Sequence, residues 1–204
     1  METDASTHDI CVLYGEKILA AQLSHVESKG YDFAPPFREM TIHLYLIGVM
    51  WRYGESLDSV SNPREHALAS LHKMLVKTGM SNKKAVKRIK LLKDLSQGEE
   101  SSETHAVTAG YQAKEDDNSL EMIFDEYRDE TRVSGALWRF YSRGKKFMLL
   151  GGGAAAFLVL FFSTIYYPSS SVMTVLALGL LAAALVVMPT FIIGALIYRV
   201  KFKK

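Results

Sequence analysis

The sequence predicts an all-α protein with a C-terminal two-helix transmembrane hairpin. Two long apolar runs, 147–167 and 172–198, contain no Asp, Glu, Lys, Arg or His. Upstream, apolar residues recur at the three-to-four spacing of amphipathic helices, and no run alternates Val, Ile or Thr as a half-buried strand would. These observations divide the chain into a small cytoplasmic helical domain (1–96), an acidic flexible linker (97–118), a juxtamembrane amphipathic helix (119–146), the hairpin (147–200) and a basic cytoplasmic tail (201–204).

The lengths of the two apolar runs fit membrane-spanning helices. The first run has 21 residues, which at the helical rise spans roughly 31 Å, the thickness of a bilayer core. The second has 27 residues and is accommodated by tilt or by a kink at Pro189. Since only Pro168–Ser171 connects them, we expect a tight turn between antiparallel helices.

Basic residues on both sides of the hairpin predict its orientation. Eight Lys or Arg flank the two runs, and the connecting turn carries none. The positive-inside rule therefore places both termini in the cytoplasm of a two-span integral membrane protein, at the inner membrane if the source is bacterial. The flanking residues are Arg139, Arg143, Lys145, Lys146, Arg199, Lys201, Lys203 and Lys204.

Four helices are predicted in the N-terminal domain. The second, Phe37–Tyr53, is apolar almost all round, and its apolar stretch is too short to cross a bilayer, so we expect a buried core helix. The third has the clearest start, with Asn62 as N-cap, Pro63 at the first helical position and Glu65 placed for a capping box. The first and fourth helices are predicted over Ile10–Lys29 and Ser81–Ser96.

The formal net charge of +2 conceals a strongly acidic segment. Residues 98–131 carry two Lys or Arg against 11 Asp or Glu, whereas residues 132–204 carry nine basic residues and no acidic one. Within 97–118 the helical periodicity disappears, and the composition is too polar to offset the entropy of ordering. We therefore predict a flexible linker, which proteases would cut to release a soluble fragment of residues 1–97.

A search for catalytic, cofactor-binding or metal-ligating constellations identifies none, and no cofactor is predicted. The six histidines are scattered, and His66 and His72 are six apart and so lie on different helix faces. Cys11 is the only cysteine, which excludes a disulfide and suits a reducing compartment. For His43, on the buried second helix, a hydrogen-bonded core histidine is favoured over a ligand or general base.

The fourth helix is the strongest candidate binding surface. Its cations could meet anionic lipid, a protein partner or the acidic linker, and the competing interpretation is an ordinary solvated helix face. Nucleic acid is disfavoured as a partner because aromatic residues do not interleave with the cations. The cations are Lys83, Lys84, Lys87, Arg88, Lys90 and Lys93.

Small residues in the hairpin predict close helix packing, either within the hairpin or between copies of a homo-oligomer. The absence of charge from 147 to 197 argues against an ion or proton carrier, which needs an ionisable group in the membrane. The predicted packing residues are Gly151, Gly152, Ala155, Ala156, Gly179 and Ala183.

These patterns favour a membrane-anchored, non-catalytic interaction or regulatory protein whose partners are membrane lipids and a protein. The alternative hypothesis is a sensor-effector in which the hairpin oligomerises and perturbs the membrane. A third hypothesis, a membrane-tethered enzyme acting on a lipid or small molecule, lacks a supporting constellation of residues.

Overall fold

The computed structural model describes residues 2–58, 60–96, 102–169 and 171–202. These residues form helices and no strand, which confirms the all-α class. The chain divides into two compact units, Met1–Glu130 and Thr131–Lys204, called here the N-terminal unit and the hairpin unit. The helices are α1 Glu2–Ser28, α2 Pro35–Glu55, α3 Pro63–Lys77, α4 Asn82–Leu95, α5 Ser102–Gln112, α6 Ser119–Glu126, a 3-10 turn Thr131–Val133, α7 Gly135–Tyr166 and α8 Val172–Phe202.

Helix α2 is the centre of the N-terminal unit, as its all-round apolar sequence predicts. It packs against α1, α3 and α5 and leaves almost none of its apolar side chains exposed. Tyr45, Ile47 and Met50 are fully buried, and the Tyr45 hydroxyl lies 2.7 Å from Ser119 Oγ at the start of α6. The prediction of a buried core helix is confirmed.

The start of α3 is also as predicted. Asn62 Oδ1 accepts a hydrogen bond from the backbone N–H of Glu65 at 3.3 Å, and Pro63 occupies the first helical position. The Glu65 carboxylate does not close a capping box but contacts Lys93 Nζ of α4 at 2.6 Å. The same carboxylate therefore ties α4 to α3.

The structure corrects the prediction of a flexible linker over 97–118. Residues 97–101 lie outside the described residues, but Ser102–Gln112 form α5, which packs along α2. The helix axes come close because glycine faces glycine: a Cβ on Gly48 would collide with Val107 O, and one on Gly110 with Tyr45 O. Small residues let two backbones pack closely without large apolar side chains. The mostly polar composition of α5 therefore gave no sign that it forms a helix packed on α2.

The end of the predicted linker is held to α1 by a buried glutamine. Gln22 is fully buried; its Nε2 donates to Asp117 Oδ1 at 2.7 Å, and its Oε1 accepts from the backbone N–H of Leu120 at 3.2 Å. Asp117 Oδ1 also accepts from the Ser119 hydroxyl at 2.7 Å. These bonds position α6, whose Leu120 and Phe124 complete the core beside Tyr45.

The juxtamembrane helix predicted over 119–146 is divided between the two units. Its first part is α6, which belongs to the N-terminal unit, and the unit boundary lies between Glu130 and Thr131. Ser134 then caps a new helix by accepting from the Leu137 N–H at 3.5 Å, and α7 continues without a break to Tyr166. Arg139, Arg143, Lys145 and Lys146 therefore belong to α7 itself.

The hairpin unit consists of α7 and α8, two helices that are long and apolar enough to cross a membrane. Its large apolar side chains face outward: Leu150 is 74% exposed and Met173 78% exposed. Pro189 lies inside α8. Helix α8 extends to Phe202, so the predicted tail over 201–204 begins as helix, and its last two residues lie outside the described part.

Candidate functional site

The six cations of α4 separate into two groups by their exposure and pairing. Four of them, Lys83, Lys84, Lys87 and Lys90, are exposed, and we call them the α4 cationic surface. No ion pair involves any of the four within the part of the chain that the structure describes. They are therefore available to an anionic partner.

The other two cations hold α4 to the rest of the N-terminal unit. Arg88 Nη2 lies 3.3 Å from Glu39 Oε2 of α2, and Lys93 Nζ lies 2.6 Å from Glu65 Oε1 of α3. Partly exposed pairs of this kind contribute up to about 1 kcal/mol each. Their value here is that they orient α4 and turn the remaining four lysines outward.

Two apolar side chains interrupt the α4 cationic surface. Val86 is 55% exposed and Leu91 45% exposed, whereas Ala85 and Leu92 are fully buried. The spacing of Val86, Ile89 and Leu92 by itself predicts one buried stripe, but the structure exposes Val86. The smaller Ala85 faces the core, and the exposed surface of α4 combines lysine with aliphatic side chains.

Several ion pairs of the N-terminal unit involve residues of α1. Lys73 and Lys77, just upstream in α3, contact Asp9 at 2.7 Å and Glu16 at 3.3 Å. In the predicted linker, Glu115 pairs with Lys17 at 2.7 Å. Glu115 of the acidic segment thus pairs with α1. The carboxylates that pair with cations of α4 belong to α2 and α3.

The structure brings His8 of α1 together with His66 and Ser70 of α3. His8 Nδ1 lies 2.9 Å from Ser70 Oγ, and the His8 ring stacks on the His66 ring with centroids 4.1 Å apart. Cys11 is fully buried one turn along α1, its Sγ donating to Met50 O at 3.7 Å, and burial raises the pKa of its thiol. This thiol therefore stays protonated and is a poor nucleophile.

His43 is held neutral in the N-terminal unit. Burial, reinforced by the positive charge of Arg88, lowers the pKa of its imidazole to about 4. Its Nδ1 is buried and has no hydrogen-bond partner among the described residues, which corrects the expectation of a hydrogen-bonded core histidine. Across the described part of the chain, no three His, Cys, Asp or Glu side chains form a metal-ligand group.

The predicted packing residues of the hairpin line the contact between α7 and α8. A Cβ added to Gly151 would lie 3.2 Å from Val186, and one added to Gly152 would lie 3.0 Å from Val187. On the other helix, a Cβ on Gly179 would lie 3.0 Å from Leu160. The alanines of the set are partly buried at the same contact; they are Ala155, Ala156 and Ala183.

The next glycine along α7 faces the other way. A Cβ on Gly153 would meet nothing within 4 Å, and this residue is exposed on the outside of the hairpin. The sequence Gly151–Gly153 therefore serves the intramolecular contact with its first two residues and leaves the third on the outer surface.

Comparisons with known proteins give no relative for this chain: no family model, curated protein or solved structure matches it.

Proposed function

We propose that this chain is a membrane-anchored interaction protein. In this proposal α7 and α8 cross the membrane with both termini in the cytoplasm, and the N-terminal unit presents the α4 cationic surface to a protein partner with an acidic surface. The single observation that carries the proposal is the outward cluster of four lysines around Val86 and Leu91, in a unit where other lysines are paired with carboxylates.

The mixed chemistry of this surface supports a protein partner over a bilayer surface. Interfacial helices insert through a broad apolar face, and the two exposed aliphatic side chains of α4 lie among lysines. Protein interfaces combine a small apolar centre with a polar rim. An acidic partner would pair with the lysines and cover Val86 and Leu91.

The anchoring part of the proposal is tested by topology. Eight basic residues flank the hairpin and none lies in its turn. A reporter inserted at Ser170 should therefore be labelled from outside the cytoplasm, and reporters at either end of the chain from inside. Opposite labelling contradicts the orientation, and extraction of the full chain by alkaline carbonate contradicts the membrane span.

The interaction part is tested by a charge-matched pair of variants. One replaces Lys83, Lys84 and Lys87 with glutamine; the control replaces three paired lysines, Lys17, Lys73 and Lys77. The full chain with a photo-crosslinking residue at Val86 is purified from detergent-solubilised membranes, and cross-linked proteins are identified by mass spectrometry. The first variant should lose the acidic partner, and the control should retain it.

Two results would contradict the interaction proposal. Equal losses in both variants would mean that only the net charge matters. Binding to anionic vesicles without any cross-linked protein, lost in the first variant alone, would assign the α4 cationic surface to lipid.

The effector alternative is favoured by the outer face of α7. Two helices alone cannot enclose a water path, so an effector hairpin must oligomerise, and Gly153 allows close approach from outside. Gly153→Leu should then abolish both oligomers and dye permeability of expressing cells. Gly152→Leu would disturb the hairpin itself and is unsuitable for this test. Cells that stay intact with the wild-type chain contradict the effector alternative.

A further inference from the structure

The hairpin unit contains a groove between α7 and α8, near the start of α7 and the end of α8. Its volume is about 560 Å³, within the range of small-molecule sites. Phe147 and Met148 form one wall, and Phe191 and Ile197 form the other. Among the lining residues that the structure describes, Arg143 alone is charged.

Two glycines keep the groove open. A Cβ on Gly194 would meet nothing within 4 Å, and one on Gly144 would meet only the flexible end of Met148 at 4.0 Å. Gly151 and Gly152, by contrast, are in close contact with α8, where a Cβ would lie 3.0–3.2 Å from valine side chains. Close helix packing therefore explains Gly151 and Gly152 but not Gly144 and Gly194. The latter two leave space for a ligand.

The pairing of the two helices makes the groove amphipathic. Since Gly151 faces Val186 and Gly152 faces Val187, Phe147 lies near Phe191 across the antiparallel hairpin. Beyond this level α8 stays uncharged for seven more residues, to Tyr198, whereas α7 carries Arg139, Arg143 and two lysines. The α8 side of the groove therefore stays apolar for about 10 Å past the level of Phe147, where the charged part of α7 begins.

The charges select the sign of the ligand. No Asp or Glu occurs anywhere from 133 to 204, so no carboxylate of this unit neutralises Arg143. A guanidinium one turn before Phe147 lies at headgroup depth when the uncharged part of α7 spans the bilayer. Arginine donors match a phosphate group in geometry and charge.

We infer that this groove binds one anionic glycerophospholipid, with its phosphate at Arg143 and an acyl chain over Gly144 and Gly194. The inference rests on the membrane span of the proposed function and is independent of the α4 cationic surface. It assigns a binding site to the hairpin unit beyond its role as an anchor.

The test is native mass spectrometry of the full chain extracted from vesicles with equal amounts of phosphatidylglycerol and phosphatidylcholine. The wild-type chain should retain one phosphatidylglycerol, about fivefold over phosphatidylcholine, as one added charge contact at the membrane surface gives. Arg143→Gln should remove the selectivity. Lys146→Gln, which removes the same charge outside the groove, should keep it.

Filling the groove gives a second, charge-independent variant. Gly194→Leu places a side chain in open space, so the hairpin should still form. Retention of phosphatidylglycerol should fall at least as far as in Arg143→Gln, and retention of phosphatidylcholine should fall as well. Equal retention of the two lipids by the wild-type chain would overturn the inference, as would equal losses in Arg143→Gln and Lys146→Gln.

Two further outcomes have distinct meanings. A wild-type dimer without lipid that Gly194→Leu converts to a monomer would assign the groove to a second copy of this chain and overturn the lipid site. If alkaline carbonate extracts the chain from the vesicles, the membrane span fails and the lipid site fails with it. Resistance to carbonate without lipid selectivity overturns the lipid site alone.

Discussion

The N-terminal unit buries most of its large apolar side chains, whereas the hairpin unit exposes most of its own. Tyr45, Ile47 and Met50 are fully buried in the former, while Leu180 is 73% exposed and Val172 76% exposed in the latter. Burial of apolar area contributes roughly 25 cal/mol per Å² in water, so the N-terminal unit can be stabilised by its own core. The hairpin unit needs an apolar surrounding instead.

Glycines show the same difference at the level of single contacts. In the N-terminal unit, Gly48 and Gly110 bring two backbones so close that neither position has room for a Cβ. In the hairpin, a Cβ added to Gly151 or Gly152 would lie 3.0–3.2 Å from the ends of valine side chains, which can shift. Contacts between backbones specify one arrangement, whereas contacts with side-chain ends tolerate adjustment.

The largest expected effect comes from cutting the N-terminal unit. A fragment of residues 1–130 should unfold cooperatively in water, whereas residues 1–97 should aggregate, because the latter lacks α5 and α6 and exposes Tyr45 and Val49. The described structure thus reverses the sequence-based expectation for the shorter fragment. Thermal melts by circular dichroism and backbone amide NMR spectra are the measurements, and a cooperatively folded fragment 1–97 would contradict the role of α5 and α6.

The next effect concerns the crossing of α2 and α5. Gly48→Ala should destabilise the N-terminal unit by about 3 kcal/mol, because its Cβ must displace backbone rather than side chains. Gly54→Ala in the same helix is the control, since its Cβ would meet Pro63 at an ordinary 3.5 Å; it should gain up to about 1 kcal/mol in helix propensity. Urea unfolding followed by Trp51 fluorescence measures both variants, and similar values for the two would refute the close crossing.

A smaller effect is expected from His43, whose imidazole pKa is lowered to about 4 by burial and by Arg88. The folded chain holds this group neutral while the unfolded chain protonates it near the ordinary pKa, so its contribution is complete above about pH 6.5 and is lost as pH falls toward 4. The loss between about pH 7.5 and about pH 5 is up to about 2 kcal/mol.

His43→Leu tests this pH dependence directly. The variant should remove that part of the pH dependence. Urea unfolding of fragment 1–130 at both pH values is the measurement. An unchanged pH dependence in the variant would show that His43 titrates normally in the folded state.

The smallest effect distinguishes two neighbouring glycines of the hairpin. Gly152→Ala must push Val187 aside and should cost about 1 kcal/mol, whereas Gly153→Ala enters open space and should be neutral or slightly stabilising. Titration of the full chain with sodium dodecyl sulfate in mixed micelles, followed by Trp138 fluorescence in a Trp51→Phe background, compares them. Equal midpoints would mean that α7 and α8 do not pack through Gly152.

Local sequence patterns predicted much of the fold. Asn62 defines the start of α3 by its bond to Glu65, and Pro63 by its fixed φ. Gly30 and Gly79 follow helix ends with positive φ values of 65° and 97°. Such features depend on residues within one or two turns, so they are legible without knowledge of the rest of the chain. The division of 119–146 into two helices was not predicted. In the sequence, the end of one helix near Glu130 and a new cap at Ser134 have the same pattern as a short interruption within one helix.

The sequence by itself determined the helical class, the two long apolar helices and the presence of a lysine-rich helix, since each follows from composition and periodicity along a continuous segment. Only the tertiary structure decided that α5 is a core helix, that Arg88 and Lys93 pair with carboxylates of α2 and α3 while four lysines stay exposed, and that Gly144 and Gly194 border a groove. These outcomes depend on which distant residues meet: a glycine saves space only where another backbone approaches it, and a lysine is paired only where a carboxylate from another helix lies within reach.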